Sequence, residues 1–271
     1  MVTVRLPQSE LEKHLAARGK HVFISGASRG IGEAIARRLG EQNHRFTLAA
    51  RSYNQLLGLA MDLGTDRAHA LKLDLADDSS IDNAIVAAES RFGPIDVLIN
   101  NAGTNAPTPL SDLSAEGRKR FRHIIDVNLV GTTFLAQLAA AHMPPGGRIL
   151  FIGSVLGRFG APGSVAYTAS KHALQGVVRT MALELAHRGI RVNALNPGWV
   201  DTDMARASLQ AIADKRGVSV EKATQQQLDM LPVRRMIKPE EVASYVEFLV
   251  GPTGDVLTGQ GIDISCGSVM I

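Results

Sequence analysis

The sequence predicts an α/β protein of one domain: a doubly wound parallel sheet of about seven strands with helices on both faces. Three observations predict it. Short apolar runs alternate with segments of helical period along nearly the whole chain, the pattern of βαβ units whose crossovers cover a parallel sheet on both sides. The first of these runs passes through a glycine-rich turn straight into a helix. The length, 271 residues of which 45% are hydrophobic, suffices for a full core, and doubly wound chains of this size are routinely one domain.

Residues 1–20 read as an N-terminal extension before a catalytic domain at 21–271. Leu11 and Leu15 stand at helical spacing among Glu, Lys, His and Arg, which suits a loosely packed lead-in or an oligomer arm. Residues 21–25 read as a buried strand that runs into Gly26-Ala27-Ser28-Arg29-Gly30-Ile31-Gly32. A helix follows, with Ile31, Ala34, Ile35, Arg38 and Leu39 tracing its period. Glycines permit positive φ and close backbone approach, and a helix N-terminus offers unpaired N–H groups to a pyrophosphate. The spacing, G-x-x-x-G-x-G, differs from the general G-x-G-x-x-G fingerprint.

The strand at 45–50 ends where a dinucleotide site meets the adenosine ribose. An acidic residue there would bind both ribose hydroxyls and repel a 2′-phosphate; this chain has Ala50, then Arg51 and Ser52. A guanidinium pairs with a phosphate through two charge-assisted bonds, and Arg29 in the glycine turn is a second candidate cation. The missing acid and the two arginines favour NADP(H) over NAD(H). A strand at 68–73 leads into Asp74-Leu75, placed to meet the adenine, with a turn or cap as the plainer reading of Asp74. After a helix near 79–91, a strand at 95–99 ends in Asn100-Asn101-Ala102-Gly103, whose carboxamides can hold the sheet edge while the glycine leaves room for a ribose. The rest alternates likewise: a long helix at 115–142, a strand at 147–152, a helix at 165–187 and a strand at 190–195 that exits into Asn196-Pro197-Gly198-Trp199-Val200-Asp201-Thr202.

The chemistry points to the helix at 165–187. Tyr167 and Lys171, four apart, lie on one helical face, and an ammonium close to a phenol favours the phenolate, lowering its pKa from ~10 towards working pH. The apolar strand at 148–152 ends in Gly153-Ser154, which sets a hydroxyl at the carboxyl edge where open parallel sheets bind ligands. Tyr167 is the candidate acid/base. Y-x-x-x-K alone also arises on ordinary solvated helices, so the surrounding features decide.

Composition narrows the alternatives. A net charge of +3 from 29 basic and 26 acidic residues, without a basic tail, gives nucleic-acid binding little support. Arg118-Lys119-Arg120 with Arg122 reads as a solvated first turn. The single cysteine, Cys266, excludes an intrachain disulfide, and no C-x-x-C or His/Cys cluster offers a metal site. No apolar run approaches the ~18 residues of a membrane span, and residues 1–20 lack the apolar centre of a signal peptide. The expectation is a soluble, cytoplasmic protein without membrane or nucleic-acid partners.

The glycine turn, Asn100-Asn101-Ala102-Gly103, Asn128, Ser154, Tyr167 with Lys171, and Pro197-Gly198 occur in the order and approximate spacing of the short-chain dehydrogenase/reductase family, and over roughly residues 20–267 the chain resembles it. Residues 218–267, with Leu231-Pro232-Val233-Arg234-Arg235-Met236 and Leu257-Thr258-Gly259-Gln260, resemble most the ketoreductases of aromatic polyketide and β-ketoacyl metabolism. The resemblance implies a Rossmann fold binding NADP(H) at Gly26, Ser28, Arg29, Gly30, Ile31, Gly32, Arg51, Ser52, Asp74, Leu75, Asn101, Ala102, Gly103, Tyr167, Lys171, Pro197, Gly198, Val200 and Thr202. It implies that Tyr167 donates or accepts the proton, that Ser154 hydrogen-bonds the substrate oxygen, that Lys171 binds the nicotinamide ribose, and that Asn128 helps hold a water connecting Lys171 to solvent. Thr202 is the expected donor to the nicotinamide carboxamide. Members are commonly homotetramers, or homodimers, through the two long helices.

In this family the segment after Thr202 forms a lid, here 204–237. Leu156, Phe159, Trp199 and Met204 flank the catalytic edge and suggest, with Ser154 and Tyr167, a pocket for an apolar or aromatic ketone. Arg158 is a candidate for a carboxylate or phosphate of a carrier-bound substrate, with a plain exposed arginine as the alternative. Arg188 matches a basic position of carrier-protein reductases, whereas Phe134 stands where another base is expected, which leaves a coenzyme A thioester or a free ketone open. The reading is an NADP(H)-dependent oxidoreductase interconverting a ketone and a secondary alcohol. Its alternatives are an NAD-dependent catabolic alcohol dehydrogenase and a catalytically silent nucleotide-sensing protein.

Overall fold

The structure, a computed structural model, describes residues 19–270, so all but the last two residues of the expected 1–20 extension lie outside it. Seven parallel strands form one sheet: β1 (His21–Ser25), β2 (Arg45–Ala50), β3 (Ala68–Lys72), β4 (Val97–Asn100), β5 (Arg148–Ile152), β6 (Arg191–Pro197) and β7 (Gly261–Ile264). Their order is β3-β2-β1-β4-β5-β6-β7. The order reverses between β1 and β4, which opens a crevice at the carboxyl ends of these strands, the place where doubly wound sheets take ligands.

The central strands are apolar on both sides because both sides are covered. One face carries Ile24, Phe46, Leu48 and Ile99 against α1 (Gly30–Gly40), α2 (Tyr53–Leu63) and α8 (Pro239–Val250). The other carries Phe23, Leu98, Ile149 and Phe151 against α3 (Asp78–Phe92), α4 (Ala115–His142) and α5 (Val165–Leu185). Alternation along each strand therefore divides one apolar run between two half-cores. The remaining helices, α6 (Asp203–Arg216) and α7 (Val220–Asp229), occupy the expected lid segment and pack on each other.

Two differences from the sequence expectation are local. β4 begins at Val97 rather than at 95; at Asp96 it is the side-chain carboxylate, not a strand carbonyl, that accepts the His21 backbone N–H, at 2.6 Å. α4 is α-helical at both ends but π-helical over Asp126–Gly131, where Thr132 Oγ1 donates to the Val127 carbonyl at 2.9 Å. The wider turn brings Gly131 against the loop after β3: a Cβ there would lie 1.8 Å from the Leu75 carbonyl oxygen. Such π-turns concentrate at functional sites. By length and composition α4 is also apolar enough to cross a membrane, with mean hydropathy 1.5 over its best window, which the sequence reading missed; half of that window is buried inside the protein.

Candidate active site

Strand β1 delivers Ser25 to the glycine turn, and Ser25 holds that turn to the loop after β4. Its Oγ accepts the backbone N–H groups of Asn101 and Ala102, each at 3.1 Å, while Asn101 Nδ2 donates to the carbonyls of Ser25 and Gly26 at 3.1 and 3.0 Å. Sequence reasoning missed Ser25; its signal was a hydroxyl on the last residue of a buried strand. Gly26 and Gly30 have φ of +68° and +57°, the left-handed region that favours glycine. A Cβ on Gly32 would stand 2.2 Å from the Gly26 carbonyl oxygen. Among the described residues no side chain caps the first turn of α1, which leaves its N–H groups available to an anion such as a pyrophosphate. Ser28 and Ile31 are half-buried along it.

Arg29 is exposed on the glycine turn. Its Nε lies 3.8 Å from the Asp203 carboxylate, at the start of α6, and the Thr202 methyl would sit 3.2 Å from a Cβ on Gly30. The lid segment thus begins against the glycine turn. Thr202 caps α6: its hydroxyl donates to the Val200 carbonyl at 3.3 Å and accepts from the Ala205 N–H.

At the adenosine end, Arg51 and Ser52 are exposed and line an open pocket of about 470 Å³ with Tyr53, Asn54, Gln55 and Lys72. Lys72 was not anticipated; only the β2–β3 register, which sets it beside Ala50, reveals it. Asp74, just after β3, accepts the Ala76 N–H on its Oδ1 at 3.0 Å in a turn. Leu75 is buried under the π-turn of α4.

Ser154 and Tyr167 come together at the carboxyl edge of β5. The Ser154 Oγ accepts the Leu156 N–H at 3.1 Å, which fixes its rotamer, and the Ser154 hydroxyl lies beside that of Tyr167, close enough to act on its pKa. Gly153 is needed just before it, because a Cβ there would meet Asn196 Oδ1 at 2.1 Å. One turn along α5, Lys171 lies with its Nζ 5.6 Å from the Tyr167 ring centroid, near enough for a cation–π contact. Its ammonium donates to the Ile152 carbonyl at 2.8 Å.

The expected lowering of the Tyr167 pKa by Lys171 is corrected here. Burial raises the Tyr167 pKa, and the neighbouring Ser154 hydroxyl opposes that only in part. Burial also lowers Lys171 to about 8. Both shifts have one cause: the enclosed site disfavours the charged form of each group. The phenol therefore keeps its proton at neutral pH.

A stability measurement checks the lysine. Between about pH 8 and the ordinary lysine value of 10.5, folded protein has released the Lys171 proton while unfolded chain still holds it. The unfolded state binds more protons there, so this group's contribution to stability rises with pH across that window. Urea titrations at pH 7.5 and 9.5 should show Lys171→Met lacking part of the wild-type gain; identical pH responses would refute the depressed pKa.

Asn128, in the π-turn and 1% exposed, spends its amide on the loop after β4. Its Nδ2 donates to the Thr104 carbonyl at 2.9 Å and its Oδ1 accepts the Thr104 N–H at 2.8 Å. Between Asn128 and Lys171 lies Gly103, where a Cβ would be 3.3 Å from Asn128 Oδ1 and 3.9 Å from Lys171 Nζ. That leaves the bare backbone edge a ribose requires. The cradle, the glycine edge and the cationic pocket together fit a dinucleotide laid across the crevice.

On the far side, Pro197 ends β6, Gly198 donates its N–H to the Ile264 carbonyl at 2.9 Å, and Val200 bridges to Ile237. Leu156 and Trp199 are half-buried, whereas Phe159 and Met204 are 41% exposed. Arg158 is neither a substrate cation nor a free surface arginine: it pairs with Asp263 at 3.1 Å. Asp263 also accepts from Asn196, which accepts from Gln175, so this chain of polar groups braces β6 and β7 behind the catalytic edge. Arg188 donates to the Met143 carbonyl at 2.9 Å and so helps to close the end of α4.

The short chain dehydrogenase family profile matches residues 20–213. The 3-oxoacyl-[acyl-carrier-protein] reductase MabA of Mycobacterium tuberculosis is 33% identical over 253 residues, covering 93% of both chains. The structure of actinorhodin polyketide ketoreductase with NADPH superposes with a TM-score of 0.85 at 32% identity, covering 93% of this chain and 98% of that one. A blue fluorescent protein from a metagenomic library, in complex with NADPH, gives a TM-score of 0.83 at 33% identity, over 94% and 100% of the two chains.

Proposed function

The chain belongs to the short-chain dehydrogenase family, and from that premise we propose that it is an NADP(H)-dependent oxidoreductase interconverting a ketone and a secondary alcohol, working as a 3-oxoacyl-type or cyclic or aromatic ketone reductase. The observation that carries the reading is the meeting of the Ser154 and Tyr167 side chains at the open edge of the sheet, with Lys171 one turn below and the glycine cradle alongside. NADPH, when bound, supplies the hydride to the carbonyl carbon.

The protein's own residues do the rest. Ser154 holds the substrate oxygen, and Tyr167, whose pKa burial raises, keeps the proton that the developing alkoxide needs. Two preorganised hydroxyls aimed at one oxygen stabilise charge only as it forms. Lys171 and the bare edge at Gly103 would hold the nicotinamide ribose, while Asn128 fixes that edge by gripping Thr104. The first turn of α1 would take the pyrophosphate and Arg51 the 2′-phosphate. Leu156, Phe159, Trp199 and Met204 would offer an apolar wall to the ketone. The same reading makes 21–271 one catalytic domain with 204–237 as its lid, assembled as a cytoplasmic homotetramer or homodimer.

Cofactor choice is checked by titrating the fluorescence of the single tryptophan with NADPH and NADH, then assaying β-ketoacyl thioesters, cyclic ketones and aryl ketones with the tighter one. NADPH should bind more tightly. Arg51→Ala should raise the Michaelis constant for NADPH about tenfold with little change in turnover, the pattern of lost ground-state binding. An equal loss of NADPH and NADH affinity would remove Arg51 from the 2′-phosphate.

A further inference from the structure

The adenosine end of the crevice holds a second cation beside Arg51. Lys72 is the last residue of β3, and the parallel register pairs it with Ala50, the last residue of β2 and the one before Arg51. Alternation puts Lys72 on the same sheet face as Ala50, Ala68 and Ala70, which pack with α1 and α2. Its side chain therefore leaves the carboxyl edge of the sheet on the side of the first turn of α2. There it lines the same pocket of about 470 Å³ as Arg51 and Ser52.

Both cations are exposed, and no carboxylate lines that pocket. Among the described residues neither forms an ion pair, whereas Arg29 lies 3.8 Å from the Asp203 carboxylate. Two adjacent positive charges without a counter-anion repel each other, and a doubly charged anion between them relieves that repulsion. A phosphate monoester carries about −1.5 to −2 charges at pH 7. The two side chains also divide the recognition geometrically: the guanidinium offers a planar fork to two oxygens, and the ammonium a point charge to the third.

We propose that Lys72 is a specificity-determining residue which, with Arg51, clamps the 2′-phosphate of NADP(H), while Arg29 serves the lid. The inference rests on the NADP(H) reading and adds to it a residue on a neighbouring strand. Selectivity then depends on the β2–β3 register as well as on the residue that succeeds β2.

The test is a set of equilibrium titrations with NADPH, NADH and 2′,5′-ADP on wild type, Lys72→Ala, Lys72→Arg, Arg51→Ala and the double variant. Lys72→Ala should weaken NADPH and 2′,5′-ADP about tenfold, the worth of one charge-assisted bond, with NADH unchanged. Lys72→Arg should stay within about twofold of wild type, and the wild-type preference should shrink as salt screens the clamp. Unliganded melting temperatures should agree across the set, since both side chains are exposed. If Lys72→Ala leaves NADPH binding intact, or weakens NADPH and NADH alike, the clamp is overturned while the NADP(H) reading stands. If wild type binds NADH as tightly as NADPH, that reading fails and the clamp with it.

Discussion

Tyr167→Phe is expected to lower turnover at least about a thousandfold while NADPH affinity stays within about twofold. The substitution removes one oxygen from the site and keeps the ring, so the apolar wall beside Lys171 and the bond from its ammonium to the Ile152 carbonyl remain. What disappears is the proton that burial holds on the phenol, beside Ser154. General acid–base groups contribute about 10²- to 10⁴-fold, and here the same hydroxyl also helps to stabilise the developing alkoxide. Single-turnover rates with bound NADPH, beside its dissociation constant, separate the two effects. Turnover above a tenth of wild type would take the acid role away from Tyr167.

The second large effect belongs to Gly32→Ala, and it acts on the cradle. A methyl there would stand 2.2 Å from the Gly26 carbonyl oxygen and 2.6 Å from Asn101 Nδ2. Those neighbours are the turn backbone and the amide that ties it to the loop after β4, so the whole cradle has to move. Overpacking of this kind costs about 1–3 kcal/mol or more. NADPH affinity should fall at least about a hundredfold, with a lower melting temperature. Gly58→Ala is the contrast: nothing lies within 4 Å of its Cβ on the exposed face of α2, and alanine there should stabilise by about 0.5–1 kcal/mol without touching affinity. Equal NADPH affinity in the two variants would show that the turn is not the phosphate cradle.

The central strands were legible because each is buried on both faces and reads as an apolar run, whereas β7, only half-buried, gave no such run; the reactive residues were legible because each sits at the end of such a run or one helical turn from another. Ser154, Tyr167 and Lys171 are of this kind, and the structure brings them together. What stayed hidden depends on partners that no local pattern names. Arg29 meets Asp203, and Arg158 meets Asp263, because strands and lid converge from distant parts of the chain. Lys72 reaches the cofactor pocket through register, which spacing within one segment does not encode. The sign of the tyrosine shift was missed for another reason: helical spacing gives the proximity of Lys171, but not the depth of burial that disfavours both charges.

The strand order also governs how this protein is made. β1, β2 and β3 are neighbours in sequence and in space, so they are able to pair as soon as Lys72 has been synthesised. The other edge of β1, carrying Val22, Phe23 and Ile24, has to wait for Val97–Asn100. At about 5–20 residues per second that edge stays open for a few seconds on the nascent chain. An apolar strand with unpaired backbone groups is a template for pairing with other chains. The switch in strand order that opens the cofactor crevice in the finished protein is, during synthesis, the seam most exposed to misassembly and to chaperone capture.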